Sequence, residues 1–258
     1  MTFLKERNKM NPRNRKQEPE EKNRRTKDMK GWKRALAVAG AALMLAALSA
    51  CHSVAKDATV FIQGELDATY LGNVNEEYLN VVEDMTQADA QAKYDYNLRA
   101  EGQYLLSYLG VELPTDAVYQ RAEEIVGEIY SHAKYTVADA ELLKSGDIAV
   151  EVTISPIEIM PLIPDEFYAE TWKSVKQQAG VSDDQVAVMS DEEYQVLDEQ
   201  YAMALLDKLE SLIGQLAYGT DQTILLQMKE DEEGYYTLVE AGMQKLDEVM
   251  IDYTGAYA

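Results

Sequence analysis

The chain predicts an α+β fold: an antiparallel sheet built from hairpins and packed against amphipathic helices, after an N-terminal signal helix. Three observations carry this. Ile148, Val150, Val152 and Ile154 alternate with Asp147, Ala149, Glu151 and Thr153, the period of a half-buried strand. Val118, Ala122, Ile125 and Ile129 fall at i, i+4, i+7 and i+11, one apolar stripe of a helix. Short strand signals then alternate with helical clusters, without the strand–helix–strand grammar of a parallel sheet.

The elements follow in chain order. "TVFIQGELDATYLG" is rich in β-branched and aromatic residues ahead of Gly72 and Asn73, and reads as a strand. Asn75 is placed to cap a helix over "EEYLNVVEDM", Thr86 one over "QADAQAKYDYNLRAEGQYLLSYLG", and Thr115 one over "DAVYQRAEEIVGEIYSHA". "KYTVADAELL" is the hairpin partner of 148–154, with a turn near Gly146, and Pro156, Pro161 and Pro164 close that strand. A helix begins near Asp165, and a longer one runs from Ser190 to Tyr218. There Tyr194, Leu197, Tyr201, Leu205, Leu209, Leu212 and Leu216 form a stripe expected to pack on a sheet, the alternative being a coiled-coil partner face. "TDQTILLQMKEDEEGYYTLV" reads as strand, turn at Gly234 and strand, and "EAGMQKLDEVMIDY" as a closing helix.

Charge divides the chain. Residues 1–50 hold 13 Lys and Arg against 5 Asp and Glu, so of the 24 basic and 46 acidic residues in all, 11 and 41 remain for residues 51–258, a charge of −30. An anionic domain of that strength repels nucleic acid, which is excluded as a partner. The basic part reads as an address: "MKGWKR", then 16 uncharged residues "ALAVAGAALMLAALSA", then the single cysteine, Cys51. The apolar run is shorter than the ~20 residues a spanning helix needs.

Leu48, Ser49, Ala50 and Cys51 resemble the lipobox of bacterial lipoprotein precursors. The resemblance implies cleavage before Cys51, a diacylglyceryl thioether on its sulfur, and a protein held to the membrane on the extracytoplasmic face. Two acyl chains supply the double signal that stable anchoring requires. With Cys51 spent on lipid no disulfide can form, so the domain must rest on its apolar core. The expected organisation is a disordered basic segment 1–28, either an over-extended reading frame ahead of Met29 or a genuine cytoplasmic n-region; a signal peptide 29–50; a lipidated tether 51–57; and an α+β domain 58–258, or two helix-plus-hairpin halves, 58–160 and 161–258. In its element order, and in phrases such as "KYTVADAELLKSGDIAVEVTISPIEI", the domain resembles cystatin-like or nuclear-transport-factor-like domains of uncharacterised Gram-positive surface lipoproteins. That likeness implies a fold and no catalytic motif.

Candidate chemistry is sparse. His52 adjoins Cys51 and His132 ends a helix, so no zinc set of His and Cys can be assembled. Nor is there a phosphate loop or a dinucleotide glycine cluster. The expectation is therefore no catalytic residue, no metal and no cofactor, with loose divalent-cation binding at Glu230, Asp231, Glu232 and Glu233 as a weak alternative to a solvated turn. All 17 tyrosines lie after residue 69. Tyrosine buries a ring while its hydroxyl reaches water, but rings on an exported surface also stack on sugars or peptides, and Tyr94, Tyr104, Tyr108, Tyr130 and Tyr135 are the candidate ligand-binding set. Two functions compete: a non-enzymatic lipoprotein that binds or scaffolds an envelope protein or polymer, and an exported carboxylate-dependent hydrolase, which would show two facing acids in one pocket, one of them desolvated.

Overall fold

The computed structural model describes residues 44–45, 51–82, 85–232 and 234–257. The signal residues Leu48, Ser49 and Ala50, and the segment 1–28, lie outside these. Of the expected signal helix only Met44–Leu45 is described, and as a two-residue strand, β1.

Among the described residues the α-helices are α1 (Cys51–Leu66), α2 (Glu76–Val81), α3 (Gln87–Leu109), α4 (Asp116–Tyr130), α5 (Asp165–Ala179), α6 (Asp183–Val186), α7 (Asp191–Ile213) and α8 (Glu240–Met250). The strands after β1 are β2 (Lys134–Val137), β3 (Glu141–Leu142), β4 (Ile148–Ser155), β5 (Ile157–Glu158), β6 (Ala217–Tyr218), β7 (Gln222–Glu230) and β8 (Tyr236–Leu238). Among the described residues the strands pair antiparallel, in the order β1-β8-β7-β4-β2, with β3 also against β4; β5 and β6 form a separate pair, beside which Ile157 makes an isolated parallel bridge to Ile251. The architecture is α+β.

The caps fall where the residue types put them. The Asn75 side chain accepts from the Tyr78 amide at 2.8 Å, the Thr86 hydroxyl accepts from the Asp89 amide at 3.2 Å, and the Thr115 hydroxyl accepts from the Val118 amide at 3.4 Å, each satisfying a donor the helix leaves free. Ser182 and Ser190 close full capping boxes with Gln185 and Glu193. The two hairpin turns use glycine in the left-handed region, Gly146 at φ 94° and Gly234 at φ 88°.

Three elements differ from expectation. The segment read as a strand over "TVFIQGELDATYLG" is helix α1, which ends in a π-helical turn, Asp67–Leu71. Its β-branched and aromatic residues are outweighed by spacing: Ala58, Phe61, Ile62, Glu65 and Leu66 sit at i, i+3, i+4, i+7 and i+8, and all are buried. Because α1 begins at Cys51, residues 51–57, expected as a tether, belong to a helix. The long helix stops at Ile213, capped by Gly214, and Ala217–Tyr218 pairs with β5 instead. Finally, α2 is shorter than read, ending where Val82 turns extended.

The described residues group into two compact units, each assembled from separated segments. One comprises Leu98–Val126 and Ile159–Gln215. In it α7 packs on α5, a helix rather than a sheet, around Trp172, Val175, Val186, Tyr194 and Leu197. Tyr201 meets Trp172 edge-on, centroids 5.5 Å apart at 81°. Asp198, 1% exposed, accepts from the amides of Glu112 (2.8 Å) and Leu113 (2.5 Å); burial pushes its carboxyl above the ordinary range despite those two donors.

The other unit takes the residues up to Asn97, Gly127–Glu158 and those from Leu216 onward. Its core is the inner face of the sheet: Ile148, Val150, Val152 and Ile154 of β4 register with Met228, Leu226, Ile224 and Gln222 of β7, and α1 and α8 pack on these strands. The last residues are gathered by Asp252, 1% exposed, whose Oδ1 accepts from the amides of Thr254 and Gly255 at 2.9 Å and whose Oδ2 accepts from that of Tyr257 at 2.9 Å. Burial opposes its ionisation, but these donors outweigh burial and hold the carboxyl below its ordinary range. The folded value therefore lies below the unfolded one, and the stabilisation is present above about pH 4 and lost as pH falls through the folded value. We expect Asp252→Asn to lower stability at pH 7 by about 1–2 kcal/mol and to flatten the acid limb of the stability curve. Urea titrations at pH 7 and pH 3 measure both; an unchanged acid limb would refute it.

Candidate functional site

The π-helical turn Asp67–Leu71 is the first local departure from regular structure in the sheet-bearing unit, and such turns concentrate at functional positions. It ends at Gly72, in the left-handed conformation at φ 64°. The turn faces the start of edge strand β2, the end of β4 and Asp221 just before β7. Together they line a cleft of about 520 Å³, with Gln63, Asp67, Leu71, Lys134, Tyr135, Thr136, Thr153, Ser155 and Asp221 among its residues. This volume lies in the range of small-ligand sites.

Asp67 organises the near side. Its Oδ1 accepts from the Tyr135 hydroxyl at 2.6 Å and from Gln63 Nε2 at 2.8 Å. Burial first, then the bond to Asp67 and its charge, push the Tyr135 hydroxyl far above its ordinary range, so it stays a donor. On the far side Ser155 donates to Asp221 Oδ1 at 2.6 Å, and the hydroxyls of Thr153 and Thr223 meet at 3.1 Å. At the rim the Lys134 ammonium lies over the Tyr218 ring, 3.6 Å from its centroid. The cleft thus combines two carboxylates, several hydroxyls, an amide and one ammonium beside an aromatic ring.

The candidate tyrosines do not form one patch. Tyr130 and Tyr135 do gather, both around Tyr70, whose ring lies 5.3 Å from Tyr130 edge-on and 6.3 Å from Tyr135. Tyr70, buried in the core, donates to Asp247 at 2.6 Å. Tyr94 belongs to the same unit but lies over Gly72, where an added Cβ would stand 3.0 Å from its ring. Tyr104 and Tyr108 belong to the other unit. Of the five, Tyr135 alone lines the cleft. The sequence reading missed Asp67, Gln63, Ser155 and Asp221. No spacing joins residues 63, 155 and 221, and the segment holding the first two was assigned the wrong secondary structure.

The acidic turn is a hairpin device. Asp231 accepts from the Tyr235 amide at 2.9 Å through its side chain and at 2.8 Å donates its own amide to the Tyr235 carbonyl; Glu230 and Glu232 are exposed, and Glu233 lies outside the described residues. Among the described residues no group of three or more His, Cys, Asp or Glu is placed to hold a metal ion. Nor is any helix among them long and apolar enough to cross a membrane. His132 ends its helix in a turn, and its carbonyl accepts from the Tyr218 hydroxyl at 2.8 Å. Another concavity is a groove of about 810 Å³ between α5 and α7, lined by Phe167, Glu170, Ser174, Glu199, Met203 and Asp207 among others.

No protein family matches the chain at the level of sequence, and no curated protein is similar to it. Among solved structures, it is similar to YcdA of Bacillus subtilis subsp. subtilis str. 168, a provisionally assigned lipoprotein, with 17% identity and a TM-score of 0.47. The likeness covers 76% of this chain and 56% of that one, so the chain spans little more than half the length of the protein it matches.

Proposed function

We propose that the chain is a membrane-anchored extracytoplasmic lipoprotein whose α+β domain binds or scaffolds a component of the cell envelope without catalysing a reaction. The observation that carries this is the single cysteine, Cys51, placed after Leu48, Ser49 and Ala50 at the end of an uncharged run of 16 residues. Its thiol is the group the lipid modification consumes. The state of the buried acids favours binding over hydrolysis. Glu65, Asp198 and Asp252 are each 2% exposed or less, and each is taken up by bonds within its own unit. A helix starting at the anchor holds the domain close to the bilayer, which raises its effective concentration for envelope partners with no catalytic step.

In a bacterial host grown with radiolabelled palmitate, we expect the full chain to take up label and to fractionate with membranes. Cys51→Ala should lose both. Equal labelling or equal membrane retention of that variant would overturn the anchored reading. Turnover of an envelope glycan or peptide, abolished by replacing one acid, would overturn the non-enzymatic one.

A further inference from the structure

We propose that the cleft beside the π-helical turn is a saccharide-binding site, with Asp67 and Asp221 as its two principal acceptors. This rests on the binding role proposed above and names the class of ligand.

Four observations converge on it. First, Asp67 and Asp221 each use one carboxylate oxygen within the protein, Oδ1 in both cases, and Oδ2 of each has no bonding partner among the described residues. A sugar ring offers adjacent hydroxyls that donate to such acceptors, and charge-assisted bonds of this kind are the stronger ones. Second, hydroxyls and an amide from Thr136, Thr153, Ser155 and Gln63 join the lining, with Leu71 and Ala133 as its small apolar part. Hydroxyls both donate and accept, and so do the hydroxyls of a sugar. Third, the charges argue against the rival ligands. Two carboxylates disfavour a phosphate, while Lys134 offsets part of their charge and disfavours a polycation. Fourth, Tyr135 supplies a ring braced by its bond to Asp67 and by the neighbouring Tyr70, and a ring of that kind packs against the C–H face of a sugar. The irregular π turn is what brings Asp67 to the edge strand, at the cost of regular helix geometry.

The full chain, purified in detergent, is titrated with soluble glycan fragments: N-acetylglucosamine oligomers, glucose oligomers and teichoic-acid-type polyol phosphates. Calorimetry and tyrosine fluorescence report binding. Spermidine and calcium are run as competing cation probes. We expect a neutral saccharide to bind, with Asp221→Asn and Asp67→Asn each weakening it about tenfold. Asp221 lies outside the core, so its variant keeps the test meaningful if Asp67→Asn unfolds. Glu199→Gln, in the groove between α5 and α7, should leave affinity unchanged. Binding of spermidine, calcium or polyol phosphate in place of neutral saccharide would overturn the proposal, as would saccharide binding that neither aspartate variant alters. Capture of an envelope protein by the full chain with no saccharide binding would overturn this inference and leave the binding role intact. Loss of palmitate label on the wild-type chain bears on the anchored reading alone.

Discussion

Replacing Lys93 by alanine should cost about 3–5 kcal/mol of stability, among the largest losses available to a single substitution in this protein. Lys93 on α3 reaches Glu65 on α1, and the pair is nearly dry: the side chains are 13% and 2% exposed. The other oxygen of Glu65 accepts from the Tyr78 hydroxyl on α2 at 2.7 Å. Burial, with Glu65 adding its charge and its bond, raises the Tyr78 hydroxyl far above its usual value, so it remains a donor across the accessible pH range. One acid therefore joins three helices through two donors. Removing the ammonium leaves a carboxylate without its counter-ion, and one tyrosine hydroxyl cannot replace it. Urea unfolding should show the midpoint falling with little change in slope. The double variant Glu65→Gln with Lys93→Met should recover most of the loss, because it removes the charge along with its partner. A loss below about 1 kcal/mol for Lys93→Ala would mean that water reaches Glu65 and that the pair is a surface contact.

Legibility in the sequence followed the range of each interaction. The stripe of α4 and the alternation of β4 appear where the periodicity put them, because 3.6- and 2-residue periods are local consequences of backbone geometry. Caps at Asn75, Thr86 and Thr115 were legible for the same reason: the donor lies three residues away. The failures share a cause. In α1 the composition argued for a strand while the spacing of Ala58, Phe61, Ile62 and Leu66 argued for a helix, and packing on the sheet decided for spacing. The end of α7 was overrun because Leu216 continues the stripe, whereas Tyr218 pairs with Ile157 some 60 positions away. The cleft was legible only through Tyr135. Asp67 and Asp221 are two among 46 acids, and only the π turn and the sheet end single them out. The tyrosine set was legible only in part because a ring that fills a core and a ring at the surface look the same in sequence; Tyr130, 5% exposed, is of the first kind.

The second large effect is expected at Gly64, where a single methyl group is too much. Alanine is the better helix former by about 1 kcal/mol, and Gly64 sits inside α1, so on propensity alone Gly64→Ala should stabilise. The packing reverses the sign. A Cβ at this position would lie 2.3 Å from Cγ and 2.4 Å from Cβ of Tyr78, well inside van der Waals contact. Those atoms are at the root of the side chain, and Tyr78 is itself fully buried, with its hydroxyl committed to Glu65 and its ring 6.2 Å from Phe61. The ring cannot swing aside without breaking that bond, so α2 must move off α1, and overpacking of this kind costs about 1–3 kcal/mol or more. A net loss of about 2 kcal/mol is expected for Gly64→Ala, seen as a lower urea midpoint. Gly214→Ala is the matched control: at the end of α7 nothing lies within 4 Å of an added Cβ and φ is −65°, so that change should be neutral or stabilise by up to about 1 kcal/mol. If Gly64→Ala proved as harmless as Gly214→Ala, the close approach of α1 to α2 would be wrong, and with it the burial of Glu65 on which the Lys93 result depends.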